Sequence, residues 1–324
     1  MWVFIAHTRR CADTAKVAFV SNSRHLPQER QARAFVVLAA IAFATSGPLA
    51  KLSGGIPPAA VASLRTLLAS LVLVGFRPRA FLRDVAKTSR RDRLRAGAAG
   101  VLLGLHFTAF IAGLALTSLP AGVALISLEP LAVIVAMAAL HRVAPTRVEL
   151  IGLAVATLGG IVVSSGARDG AHGALGDVLV LVAVVLYGVY VAFARGVSEA
   201  LPPATYIALV YGVAGVSLVP WALASQLIAA PGKYDWPATA LAATLALALV
   251  PTLVGHSLVQ AAARFARPAL VALVPPGETV GALIIGVLFM HVQPSTRELV
   301  GCALALCGAV LAARANAAIR PAPA

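Results

Sequence analysis

Apolar residues run along this chain in long blocks, and polar residues collect in the short gaps between them. Ten blocks can be drawn, at 34–52, 58–76, 96–117, 120–140, 148–165, 175–194, 204–224, 239–262, 268–289 and 297–314. A helix of about 20 residues is long enough to cross a hydrocarbon core. A span must satisfy its own backbone hydrogen bonds, and no block alternates with the period of two that a barrel strand needs. The pattern predicts an all-α polytopic membrane protein with ten transmembrane helices.

Composition agrees. Of 324 residues, 60% are hydrophobic and 12% charged, and the mean hydropathy is +0.91. A soluble domain carries about 25% charged residues. The net charge of +14 invites a nucleic-acid reading, but its placement argues against one. With the N-terminus in the cytosol, 21 of the 26 basic residues fall in inside segments. They are six from Arg9 to Arg33, eight from Arg77 to Arg95, and Arg142, Arg147, Arg195, Arg264, Arg267, Arg314 and Arg320. Lys51, Arg168, Lys233 and Arg297 fall outside, and Arg65 lies within a span. This positive-inside bias puts both termini in the cytosol and makes the lipid bilayer, not nucleic acid, the partner of these charges.

Cys11, Cys302 and Cys307 form no disulfide framework and no metal spacing; the last two read as small apolar fillers of the final helix. Residues 1–33 form a basic tail. Its apolar start, Trp2 to Ile5, precedes the arginines, the reverse of a signal peptide.

The two halves match. Ile56-Pro57-Pro58-Ala59 recurs as Leu201-Pro202-Pro203-Ala204, an offset of 145. Glu129, Pro145, Glu149, Leu150, Gly152, Ala154 and Gly159 recur at an offset of 149 as Glu278, Pro294, Glu298, Leu299, Gly301, Ala303 and Gly308. His106 and His256 correspond within one residue of that offset. The domains follow: a first repeat over 34–165, an outer linker over 166–174, a second repeat over 175–314 and a C-terminal tail over 315–324. Five spans is an odd number, so the second repeat enters the membrane inverted, and the binding site is expected where the repeats meet at mid-membrane.

The chemistry-bearing residues cluster by depth. Arg65, Glu129 and Glu278 are the charged groups deep inside the spans; the other ten acids lie in tails, loops or helix ends. Low dielectric disfavours a charged carboxyl, which makes both glutamates candidates for proton coupling or for holding a substrate ammonium. Arg65 reads either as a counter-ion to a carboxylate or as an anchor snorkelling to the interface. His106 and His256 are candidate proton relays, and Gln260 shares a helix face with His256. Tyr187, Tyr190 and Tyr211 are candidates for an aromatic wall. Pro130, Pro275, Pro276 and Gly277 are candidate helix breaks, since proline cannot return a donor to the carbonyl one turn back. Trp221 and Trp236 read as outer-interface anchors. Gly97, Gly100 and Gly104 in the third span, and Gly152, Gly159 and Gly160 in the fifth, read as close helix contacts.

Over residues 34–312 the chain resembles the EamA-type transporters of the drug/metabolite transporter superfamily. The resemblance rests on the five-plus-five duplication, on Leu128-Glu129-Pro130, and on Pro145…Glu149-Leu150-Ile151-Gly152 with its copy Pro294…Glu298-Leu299-Val300-Gly301. Ser127-Leu128-Glu129-Pro130 looks most like the amino-acid exporter branch. The resemblance implies a plasma-membrane carrier, an exporter of a small-molecule substrate, with a central cavity lined by helices one to four and six to nine. It leaves the fifth and tenth helices peripheral or at a homodimer contact. The glutamate usual at the ends of the fourth and ninth helices is missing; His141-Arg142-Val143 and His291-Val292-Gln293 stand there.

No phosphate loop, Ser/His/Asp arrangement or cofactor motif is present, so the reading is a non-enzymatic, cofactor-free secondary carrier working by alternating access with proton coupling. Two alternatives stand beside it: a broad-specificity or lipid-linked efflux or flipping carrier, and an intramembrane enzyme using Glu129, His106 and water.

Overall fold

The computed structural model describes residues 30–31, 33–142, 144–165, 173–194, 201–263 and 274–316, and these contain no strand. The first helix, α1, covers Arg33–Leu52, with one turn residue at Thr45. Next come α2 (Pro58–Phe76), α3 (Pro78–Lys87) and α4 (Arg90–Leu116). The fourth span is split into α5 (Leu119–Ile126) and α6 (Glu129–His141), and α7 (Arg147–Ser164) closes the first repeat. The second half holds α8 (Ala174–Ala194), α9 (Pro203–Leu227) and α10 (Ala238–Leu247). A π-helical segment, Ala248–Gly255, joins α10 to α11 (His256–Ala263); α12 (Val274–Met290) and α13 (Thr296–Asn316) follow. Among the described residues, seven helices are long and apolar enough to cross a membrane, and α12 is a shorter apolar helix.

The basic stretch 77–95, a polar gap between two apolar blocks of the sequence, is mostly helical. Pro78 opens α3, and Ser89 caps α4 by accepting from the Asp92 amide at 3.1 Å. No residue of α3 is buried, yet Asp84 is tied back to α9 by the Thr205 hydroxyl at 3.0 Å. Polar content hid this helix, because its apolar side chains recur with helical period instead of forming a block.

The sequence repeat reappears as paired local structure. Pro57 and Pro202 precede α2 and α9 with nearly the same backbone, ψ 134° and 138°. Thr146 and Glu149 form a capping box at the start of α7. Ser295 and Glu298, 149 residues on, repeat it at the start of α13. Arg142 and His291, also 149 apart, end α6 and α12 with left-handed backbone, φ 56° and 55°. Thus the residues where the family's glutamate is absent act as helix stops, with the amide of Val292 reaching back to the Gly286 carbonyl at 3.0 Å.

Repeat mates also touch each other reciprocally. Ser63 on α2 donates to the Gly215 carbonyl on α9, and Ser70 to the Ala208 carbonyl, each at 2.8 Å. At the 145 offset Ser63 corresponds to Ala208 and Ser70 to Gly215, so each contact maps onto the other. The same holds for α7 and α13, which cross antiparallel. A Cβ on Gly152 would lie 2.7 Å from the Gly308 carbonyl, and one on Gly308 2.5 Å from that of Gly152. Gly159 and Gly301 form the matching pair, at 2.7 and 2.8 Å. Contacts this close exist only because neither helix has a side chain there. In the third span, Gly100 meets α9 at 2.7 Å, whereas Gly97 faces open space and is not a contact glycine.

One end of the bundle is tied shut. Lys51, at the end of α1, donates its ammonium to the Thr117 carbonyl, and the Thr117 hydroxyl donates to Asp177 on α8 at 2.7 Å. Ser118 at the start of α5 donates to Glu298 on α13, and the Trp236 amide reaches the Gly55 carbonyl at 3.1 Å. Trp236 also gives its indole N–H to Gln226 at 2.8 Å, so it is pinned into this seal, while Trp221 stays half exposed. Of the last-helix cysteines, Cys302 is buried as expected and Cys307 is exposed.

The antiparallel glycine crossing yields a test. Gly159→Val drives a side chain into α13 backbone 2.4 Å away at Ala305, and the strain of forced overpacking is about 1–3 kcal/mol. Thermal unfolding of the purified protein in detergent should fall accordingly, whereas Gly97→Ala, which meets nothing within 4 Å, should leave the melt unchanged.

Candidate functional site

A cavity of about 490 Å³ lies where the two halves meet. The first repeat lines it with Phe43 and Ser46 of α1, Arg65 of α2, Leu103, His106, Phe107 and Phe110 of α4, and the α5–α6 break. The second repeat adds Tyr187 and Val191 of α8, His256 and Val259 of α11, and Val274, Pro275 and Glu278 of α12. From mid-helix the lining runs along α6, α8 and α11 toward their C-terminal ends, while the tied end lies on the opposite side.

The break in the fourth span positions Glu129. Ser127 and Leu128 form a turn, and the Ser127 hydroxyl donates to the Ala124 carbonyl at 2.6 Å. Pro130 then starts α6 and has no N–H for the Ile126 carbonyl one turn back. The helix restarts at Glu129 and sets its carboxyl against the cavity at 8% exposure. Pro275, Pro276 and Gly277 lie in the first described turn of α12, and the carbonyls of Val271 and Ala272 that they are expected to free lie outside the described residues. Gly277 also packs closely against α1. A Cβ there would meet that of Ala40 at 2.9 Å, and one on Gly281 would meet that of Ala44 at 2.5 Å.

His106 joins the two repeats. Its Nδ1 lies 2.8 Å from the Ala183 carbonyl, and a carbonyl only accepts, so Nδ1 carries a proton. Nε2 therefore faces Glu129 as an acceptor when the ring is neutral, at 3.7 Å from Oε1. That is too long for a direct hydrogen bond. Rings enclose this histidine: Tyr187 at 5.3 Å, Phe107 at 5.1 Å and Phe110 at 6.4 Å. His256 sits between the edge of Phe43 at 4.8 Å and Tyr211 at 5.9 Å.

Arg65 is 1% exposed, so it does not snorkel to an interface, and the anchor reading fails. Its Nε donates to the Thr252 hydroxyl at 3.0 Å, and its Cζ stands 3.9 Å from the Phe107 ring centre. Thr252 belongs to the π-helical segment and gives its own proton to the Leu247 carbonyl, five residues back, at 2.7 Å. Pro251 inside that segment lacks an N–H, and the widened turn moves Thr252 into reach of α2. Sequence reasoning missed Thr252 and Phe107. The available signal was Pro251-Thr252 within an apolar run, much as Pro130 marks the other repeat.

Of the other predicted residues, Tyr190 and Tyr211 do not line the cavity. Tyr190 stands behind Tyr187 with ring centres 6.0 Å apart; Tyr211 is buried behind His256, its hydroxyl donating to the Thr252 carbonyl at 3.2 Å. The side chain of Gln260 lies outside the described residues. No group of three or more His, Cys, Asp or Glu fit for a metal occurs among the described residues.

The profile of the EamA-like transporter family matches the sequence twice, over residues 32–165 and 174–314. This chain belongs to the EamA-like transporter family. The two matched segments correspond to the halves that meet around the cavity, so the EamA-like cavity is built jointly by both copies. A crystal structure titled only as that of a protein aligns over 88% of this chain and 96% of its own, with a TM-score of 0.61 and 19% identity. At that identity the likeness is one of fold. No curated protein matches the sequence significantly. The chain is a multi-pass membrane protein of a transporter family.

The lopsided cavity predicts one-sided access. With Cys11, Cys302 and Cys307 changed to serine, Val191→Cys should react with a membrane-impermeant maleimide applied from one membrane face only. Val123→Cys, 1% exposed among the packed helices, should stay unlabelled from either face.

Proposed function

We propose that this chain is a secondary-active transporter exporting a small polar metabolite, amino acids and their relatives first, by proton-coupled alternating access. In this reading it sits in a bacterial-type inner membrane as ten spans in two inverted five-helix repeats, with both termini cytosolic. The observation that carries it is the meeting of Glu129, His106 and Glu278, from both repeats, at one cavity in a transporter-family chain.

Three features support the parts. Antiparallel crossing of α7 and α13, which are corresponding helices, favours inversion, as do the reciprocal contacts of α2 and α9. A cavity reaching from mid-membrane toward one side, with hydrogen bonds tying the other, is what one half of an alternating-access cycle requires. The end tied by Lys51, Thr117 and Asp177 is the outer one by the distribution of arginines, so the conformation reads as inward-facing. An acid that gains and loses a proton beside an imidazole acceptor makes a coupling pair, because a neutral pair crosses a low-dielectric region more cheaply than a charged one.

Reconstitution tests this. In sealed vesicles the wild type should accumulate solute in response to an imposed pH gradient, and Glu129→Gln with Glu278→Gln should reduce that accumulation to background. Undiminished coupling in the double variant would refute proton coupling through these acids. Solute-for-solute exchange without a gradient, run on a panel of metabolites, tests transport itself.

A further inference from the structure

Arg65 is the only lysine or arginine among the described residues lining the cavity, and the protein leaves part of it unused. Nε is occupied by Thr252, and Phe107 covers one face of the guanidinium. Nη1 is buried and has no hydrogen-bond partner. A charged donor left unpaired in an apolar interior is strongly unfavourable. Neither cavity acid supplies the hydrogen-bond partner: Glu129 faces His106, and Glu278 acts on Arg65 through its charge alone, with no ion pair or hydrogen bond joining the two among the described residues.

We infer that Arg65 is the carboxylate-binding residue of this cavity, and that the solute it serves is a small carboxylate with an apolar body. This rests on the transporter reading of the cavity and names its substrate class. The guanidinium fork matches a planar carboxylate with two parallel N–H donors, a geometry an ammonium cannot offer. Thr252 and Phe107 hold the plane of the fork before any ligand arrives, so less freedom is lost on binding. Thr252 cannot turn away, since its hydroxyl proton is already committed to the Leu247 carbonyl. Phe43, Phe110, Val133, Ile134, Val191 and Val259 give the remaining wall an aliphatic and aromatic surface. Glu129 and Glu278 stand available for an ammonium where the ligand has one, so an apolar amino acid satisfies all three charged groups.

Three matched probes isolate the carboxylate: L-leucine, 4-methylpentanoate, which lacks the amine, and 3-methylbutylamine, which lacks the carboxylate. Binding to the purified full chain is measured by calorimetry. The wild type should bind L-leucine and 4-methylpentanoate in preference to 3-methylbutylamine. Arg65→Gln should weaken both carboxylates by about ten- to a hundredfold, the loss expected for a charge-assisted bidentate contact. It should leave the amine unchanged, and Arg65→Lys should fall between. Equal weakening of all three probes would mean Arg65 only supports the fold, and would overturn the inference. So would a wild type that binds neither carboxylate, an outcome that needs no variant to fold. Transport is judged separately: exchange of any other solute in sealed vesicles would leave that reading standing while this one fails.

Discussion

A guanidinium removed from both water and lipid headgroups has to be solvated by protein, and here one residue from each half does that work. Arg65 of the first repeat leans on Phe107 of its own half and on Thr252 of the other. The contact joins residues 187 positions apart and fixes how α2 sits against the π-helical segment. Much of the site depends on it. Tyr211 bonds the carbonyl of the same threonine, and His256, four residues on, packs against the ring of Tyr211. A change at Thr252 therefore alters the guanidinium, one tyrosine and one histidine together, and these groups are expected to couple instead of adding.

Glycine carries the second constraint. Membrane helices gain little from burying apolar surface, because lipid is equally apolar, so association needs close packing and interhelical hydrogen bonds. The α7–α13 crossing uses the first, with two glycines facing two glycines; the α2–α9 crossing uses the second, with two serines each reaching a carbonyl. Both crossings pair helices that the repeat equates, and within each the repeat maps one contact onto the other, as a pseudo-two-fold through the crossing requires. The cavity lies between halves related in this way. That explains why its polar groups come as near-pairs, Glu129 with Glu278 and His106 with His256; Arg65 breaks the pattern, since the 145 offset puts Val210 in its place.

How much of this could be read beforehand divides along a physical line. Apolar blocks, the repeat, both glutamates, both histidines, Arg65 and Tyr187 were legible, because a charged or imidazole side chain in hydrocarbon is unfavourable enough to stand out in one sequence. The amphipathic α3 was not, since block hydropathy averages away a 3.6-residue period. Glu149 and Glu298 stood out as repeated motif residues, yet their structural work is helix capping, with Glu298 also accepting from Ser118 of α5. A conspicuous acid thus signals an unusual environment without saying which. Tyr190 and Tyr211 were grouped with Tyr187 by residue type, and tertiary packing separated them.

What stayed hidden was the pairing of distant positions. Pro251 marks an irregular turn beside Thr252, yet it does not name Arg65 as the partner, and threonine in an apolar helix is an ordinary residue that bonds its own backbone. The π-helical segment gives it a different role. One widened turn lets Thr252 donate five residues back and still present its oxygen outward. Thr252 and His256 are four residues apart and share a helix face, so what the irregular turn changes is the reach of the threonine hydroxyl, which bonds five residues back instead of four. One helix thus carries an arginine-holding hydroxyl and, a turn on, a cavity-lining imidazole. Regularity is given up where Pro251 removes a backbone donor and Arg65 needs an acceptor.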